Sequence, residues 1–316
     1  MSALHDAALG WYDANRRDLP WRRPDATPWG VMVSEFMLQQ TPVARVLPVW
    51  TSWLLRWPAP ATLAAAPRGD AVRAWGRLGY PRRALRLHEA ATLVVDRHGG
   101  RVPDSYDDLL ALPGVGIYTA AAVASFGFGH RHAVLDTNVR RVLTRLLAGR
   151  EFPAPSVTRA ERALAESVLP RGEQAPAWSA AIMELGALVC TAVTPGCDTC
   201  PVADLCAWQR AGRPAYDGPT RRTQTWAGTD RQCRGRILAV LRDAQGPVHH
   251  SAFEAVWDLA AQRERALAGL LDDGLAVRVG PDVFALPGID SSASPPAPGN
   301  ADIEARGVVA GHPAPG

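Results

Sequence analysis

The chain contains no lysine. All 34 basic residues among its 316 are arginine, a side chain that stays protonated and binds phosphate but cannot form the Schiff bases of covalent lysine chemistry. A GC-rich coding bias would give the same composition, and the chemical exclusion stands either way. Long apolar runs are missing too: no stretch approaches the ~18 residues of a membrane span. The N-terminus shows no basic segment leading into an apolar run with a cleavage site. A soluble protein of the cytoplasm, without membrane association, is therefore expected. Up to Val189 there is no convincing strand pattern, only helical periodicity, which argues for an all-α body. A 47% hydrophobic composition is enough for real cores and more than one domain. The net charge of +3 and pI of 8.7 are compatible with a polyanionic partner without identifying one.

What is present is organised around residues 112–138, LPGVGIYTAAAVASFGFGHRHAVLDTN. Pro113 stops the helix expected over Ser105 to Leu112. Gly114 and Gly116 permit a tight turn, leaving amides exposed at the start of the next helix. Such amides form an anion site that a nucleic-acid phosphate can occupy. Asp136 opens a later helix and can direct a charge at a bound substrate. Taken alone, the pattern also describes an ordinary helical hairpin.

Other segments add chemistry. A basic loop, RRDLPWRRP at 16–24, carries Trp21 and Arg22. Glu35 lies inside the apolar helix expected over 29–40; on a wet face it would be ordinary, whereas in a cleft desolvation would raise its pKa and make it an acid near neutrality. The turn Leu78-Gly79-Tyr80-Pro81 pushes Tyr80 outward among Arg77, Arg82, Arg83 and Arg86, suited to stacking on a base or simply to the surface. Of the five cysteines, four fall in the pattern Cys190-x6-Cys197-x2-Cys200-x5-Cys206. Four clustered thiolates can wrap one metal centre, and the spacing admits either zinc or an iron–sulfur cubane. Cys233 stands apart as a plain buried thiol. A Pro-, Gly- and Arg-rich stretch over 212–230 reads as a linker. Three helices and a strand hairpin over 231–287 read as a winged-helix-like module, and 288–316 as a disordered tail.

Seven segments in order, LPWR at 19–22, SEFMLQQT at 34–41, GRLGY at 76–80, LPGVGIYTA at 112–120, LDTNV at 135–139, MELGALVC at 183–190 and the cysteine spacing, make the chain resemble the helix-hairpin-helix base-excision DNA glycosylases with an iron–sulfur loop. Within that superfamily it is most similar to the MutY-type adenine glycosylases. The resemblance implies a mainly α, two-lobed fold with a 4Fe-4S loop, plus a small C-terminal α+β winged-helix-like domain. One lobe would comprise 1–22 and 135–211, the other a six-helix barrel over 23–134. It further implies Glu35 as the acid that protonates adenine, Asp136 as the carboxylate beside the cationic sugar, and Tyr118 and Asn138 as groups orienting Asp136, sugar or water. Cys190, Cys197, Cys200 and Cys206 would hold a 4Fe-4S cluster. Trp21 and Arg22 would line the adenine pocket and Gln40 and Tyr80 would wedge the duplex. Leu112, Gly114, Val115 and Gly116 would hold the DNA backbone, with a monovalent cation at the turn.

The expected activity is monofunctional removal of adenine mispaired with 8-oxoguanine or guanine from double-stranded DNA, by a monomer that flips the base out of the stack. Strand-cutting relatives have a lysine where this chain has Tyr118. Alternatives are a mismatch-specific thymine or uracil glycosylase and a DNA-binding protein without catalysis. The chain departs from the family pattern at Ala180, where a polar residue is usual. It also lacks the usual C-terminal 8-oxoguanine-reading domain; His249-His250-Ser251 reads as a helix N-cap rather than a substitute.

Overall fold

The structure, a computed structural model, describes residues 2–218 and 227–288. Residues 219–226 of the expected linker and 289–316 of the expected tail lie outside the described residues. Two compact units divide between Gln232 and Cys233.

Among the described residues the first unit contains helices and no strand. Its helices are α1 (Ser2–Asn15), α2 (Pro28–Leu38), α3 (Val43–Arg56), α4 (Pro60–Ala64), α5 (Arg68–Trp75), α6 (Arg82–His98), α7 (Tyr106–Leu110), α8 (Ile117–Phe128), α9 (Thr137–Ala148), α10 (Arg159–Val168), α11 (Gln174–Leu188) and α12 (Ala207–Arg210). Local chemistry sets many of their ends. The Thr27 side chain caps α2 by accepting from the Gly30 amide, Ser105 caps α7 and Asp136 caps α9, each satisfying an orphan donor of the first turn. Left-handed glycines at 99, 129 and 149 close α6, α8 and α9. Pro48 lies inside α3, which runs on through it. The short helix α4 links α3 to α5. Pro60 occupies its first turn, where a missing N–H costs nothing.

Packing joins α2 to α3, α6 and α8, and α6 to α4 and α5. A second core gathers Leu4 and Ala8 of α1, Val142 and Leu146 of α9, Trp178 and Ile182 of α11, and Val202, Cys206 and Trp208 around the cysteine loop. Nine of the eleven residues of α2 are buried, Glu35 among them, so this helix presents no polar stripe. None of the described helices is long and apolar enough to cross a membrane.

The second unit contains most of α13 (Asp230–Asp243), then α14 (Ala260–Asp272) and three short strands, β1 (Val248–His249), β2 (Val277–Gly280) and β3 (Val283–Ala285). They form an antiparallel sheet in the order β1-β3-β2. β1 thus adds a strand to the expected hairpin. The second of the three expected helices is instead a 3-10 segment, His250–Val256, with His249 as its N-cap accepting from the Ser251 amide. Cys233 is fully buried, its thiol 3.7 Å from the Gln262 carbonyl oxygen.

Candidate active site

Segments far apart in sequence meet at one cavity of about 550 Å³, within the roughly 300–1,000 Å³ of small-molecule pockets. Its lining includes Trp21, Arg22, Glu35, Gln40, Tyr118, Asp136 and Asn138. Because α2 and α8 pack together, the Tyr118 hydroxyl donates to Glu35 Oε2 at 2.8 Å. Glu35 is 4% exposed. Burial pushes its carboxyl from 4.5 up to about 7, against the opposing pull of the Tyr118 hydrogen bond and the Arg22 charge, with Asp136 adding to the rise. It can therefore hold a proton near neutrality and give it up. Tyr118 stays a phenol: burial, then the Glu35 and Asp136 charges, raise it well above its ordinary value.

Asp136 is fixed more tightly. Its Oδ1 accepts from the Val139 amide at 2.6 Å and its Oδ2 from Asn138 Nδ2 at 3.0 Å. Burial raises this carboxyl, while those two bonds and the Arg141 charge lower it. Arg141 donates to Asn138 Oδ1 at 2.8 Å and to the carbonyls of Gly186 and Cys190, locking the Asn138 amide so that its NH2 faces Asp136. Gly186 is required there: a Cβ on it would lie 2.7 Å from Asn138 Cβ and 3.1 Å from Asn138 Cα. The absence of that one carbon lets α11 close on the start of α9.

A clamp behind the pocket wall has no signature in the linear order of residues. Glu184 is wholly buried and takes Arg17 in a bidentate pair at 2.7 and 2.8 Å, the Arg17 amide at 3.0 Å and Arg22 at 2.6 Å. Burial alone would raise this carboxyl, but the Arg17 hydrogen bonds and the Arg22 charge outweigh it and hold Glu184 at about 2. Trp21 packs edge-on against Trp50 at 5.6 Å. Ala180 is buried beside Tyr12 and Ala181.

Gln40 and Tyr80 have left-handed backbones, φ +56° and +45°, a conformation unfavourable for both types. Arg83 braces both turns by donating to the carbonyls of Phe36, Gln39 and Gly79 and to the Thr41 hydroxyl; burial lowers its guanidinium to about 10. Tyr80 is half exposed and stands outside the cavity lining. The hairpin turn also lies outside that lining. Leu112 and Val115 are buried, and the Val115 amide is donated to the Leu112 carbonyl. Gly114 has φ +78°, and a Cβ on it would meet Arg86 Cβ at 2.7 Å. Gly116 is the N-cap of α8.

Away from the cavity, Cys190, Cys197, Cys200 and Cys206 line one small cavity with Arg145 and Trp208. All four are free thiols. Burial and the neighbouring cysteines push the Cys200 thiol up to about 11. No group of three or more His, Cys, Asp or Glu side chains among the described residues could hold a single metal ion.

Residues 33–168 match the HhH-GPD superfamily of base excision DNA repair proteins. The chain is 54% identical over 282 residues to an adenine DNA glycosylase of Mycobacterium tuberculosis, covering 89% of this chain and 92% of that protein. It is 50% identical over 288 residues to an adenine DNA glycosylase of Mycolicibacterium smegmatis, covering 91% and 97% respectively. Among solved structures, a thermostable thymine-DNA glycosylase aligns with a TM-score of 0.60 at 27% identity, over 66% of this chain and 96% of that one.

Proposed function

Because the chain belongs to the adenine DNA glycosylases of the HhH-GPD superfamily, we propose that it excises adenine mispaired with 8-oxoguanine or guanine in double-stranded DNA. It acts as a monomer in the cytoplasm and leaves an abasic site without cutting the strand. The observation that carries this reading is the pairing of two unlike carboxyls across one cavity: Glu35, held near pKa 7 under the Tyr118 hydroxyl, and Asp136, fixed by amide donors.

Breaking an N-glycosidic bond requires a proton on the departing base and negative charge beside the developing oxocarbenium ion. The adenine leaves the stack and enters the cavity. Protonated Glu35 donates to the base, and the bonding electrons leave with it. Asp136, already desolvated and oriented by Val139 and Asn138, stabilises the cationic sugar without reorganisation. Water then adds to the sugar carbon and loses its proton. Tyr118, which bonds to Glu35, occupies the position of the strand-cutting lysine, and a tyrosine forms no Schiff base.

Trp21 and Arg22 would face the base, with Arg22 held in place by Glu184. Gln40 and Tyr80 would wedge the duplex from their strained turns. Backbone groups of Leu112, Gly114, Val115 and Gly116 would take a DNA phosphate, together with a monovalent cation at the same turn. Cys190, Cys197, Cys200 and Cys206 would hold a 4Fe-4S cluster, whose contribution is to order the loop they span. The donor set suits it: four cysteines line one cavity beside a buried guanidinium.

The similarity to a thymine-DNA glycosylase favours one second reading, excision of mispaired thymine. Single-turnover base release on A:8-oxoG, A:G, T:G and U:G duplexes, each with and without alkali, separates the two. Adenine release that needs alkali for strand scission is expected. Release of thymine but not adenine would overturn the assignment, and scission before alkali would overturn the monofunctional claim.

A further inference from the structure

Arg145, on α9, is a buried cation. It is 1% exposed. Its Nε donates to the Glu151 carbonyl at 2.9 Å, Nη1 to the Thr191 carbonyl at 2.7 Å and Nη2 to the Ala192 carbonyl at 3.1 Å. Nη1 also reaches Cys190 Sγ at 3.5 Å. The guanidinium carbon lies 5.4 Å from the centre of the Phe152 ring and 4.7 Å from that of Trp208, and the Cys206 thiol points back at the Arg145 carbonyl at 3.5 Å. Neighbouring Arg140 shows what the fold does elsewhere with a buried guanidinium: it pairs with Glu161 at 2.9 Å. Among the described residues no carboxylate forms an ion pair with Arg145.

A buried charge without a counter-charge is among the most costly features a protein can carry. Carbonyls and aromatic faces solvate a cation but do not neutralise it. The anions beside it would be the thiolates that Cys190, 3.5 Å from Nη1, and its three partners would present on binding a metal centre. An iron–sulfur cubane with four thiolates carries a net charge of about −2 in its resting state, and charge together with hydrogen bonds to sulfur sets its potential.

We propose that Arg145 is the built-in counter-ion of the cysteine-bound cluster. It neutralises part of the cluster's charge, donates to the Cys190 sulfur and raises the cluster's one-electron potential. Phe152 and Trp208 exclude the water that would otherwise screen the charge. The inference rests on the reading of the four cysteines as a 4Fe-4S site.

The test compares full-length wild type, R145K and R145Q, purified without oxygen. Iron and sulfide per chain, the cluster's potential by film voltammetry, and the loss of its visible absorbance in air are measured. R145K should keep wild-type iron and a potential near that of wild type. R145Q, which retains hydrogen bonding without the charge, should shift the potential to more negative values and lose the cluster faster in air. R145Q failing to assemble a cluster that R145K assembles carries the same meaning. The proposal is overturned if both variants keep the wild-type potential and lifetime. It is equally overturned if both fail alike, since the guanidinium would then matter only as a clamp on carbonyls. Wild type containing zinc or no iron would instead remove the cluster reading itself.

Discussion

Replacing Glu35 by glutamine should cost most of the activity and yet make the protein more stable in mild alkali. The buried carboxyl climbs from 4.5 to about 7 on folding, so between these values the native state holds a proton that the unfolded state has released. Stability therefore falls as pH rises through that window. At 1.36 kcal/mol per pH unit, the native state gives up about 3 kcal/mol by pH 8 to keep an ionised carboxyl inside α2. Glutamine has the same shape and no charge to desolvate. The stability of Glu35→Gln relative to wild type should thus rise by up to about 3 kcal/mol between pH 4.5 and pH 8. Its base release should be lower by about 10²- to 10⁴-fold, the usual worth of a positioned general acid. Urea denaturation at pH 5, 6.5 and 8, beside single-turnover release from an A:8-oxoG duplex, reads both quantities. Wild-type release should also decline as pH rises through about 7, where Glu35 loses its proton. A stability difference independent of pH, or full activity in the variant, would refute the account of Glu35 as a buried, titrating acid.

Asp136→Asn keeps an equally good N-cap on α9, so denaturation should shift by only a few tenths of a kcal/mol, while adenine release should collapse; retained release would remove Asp136 from the chemistry. Glu184→Gln leaves Arg17 and Arg22 without their shared partner and should destabilise the chain by roughly 3 kcal/mol near neutrality. The difference should vanish as pH falls from 4.5 toward 2, where the Glu184 carboxyl of wild type takes up its proton; an unchanged urea midpoint at pH 7 would show the clamp to be idle. Gly186→Ala places a methyl 2.7 Å from Asn138 Cβ and should displace the start of α9. That should lower the rate of release by on the order of 10²-fold with DNA affinity nearly kept, and wild-type kinetics would mean that the close approach is not needed.

Particular residues explain why some of this was readable in the sequence and some was not. The helix ends were readable because their causes are local: Asp136 before Thr137, Ser105 before Tyr106, and the glycines after α6, α8 and α9 act within one turn of themselves. The four cysteines that share one cavity were readable as a group from their spacing. Glu35 was readable as a titrating group only on the condition that it faced a cleft, and the local sequence did not decide that condition. With nine of eleven residues of α2 buried, there is no amphipathic stripe from which its environment could be judged. β1 is two residues long, too short for alternation to show, and the prolines around α4 masked a helix that one of them initiates.

Sequence alone determined that lysine chemistry is impossible, where the helices with local caps end, and which residue types would converge if the motifs met. Tertiary structure alone decided what those groups become. Glu35 can hold a proton near neutrality because burial moves its pKa. Arg17 and Arg22 become parts of a wall because a carboxylate more than 160 residues away, Glu184, is packed between them. Arg145 becomes a charge in search of a counter-ion because the helix that carries it is sealed under Trp208. Each of these is an effect of desolvation and distance between remote segments, quantities that a linear order of residues does not contain.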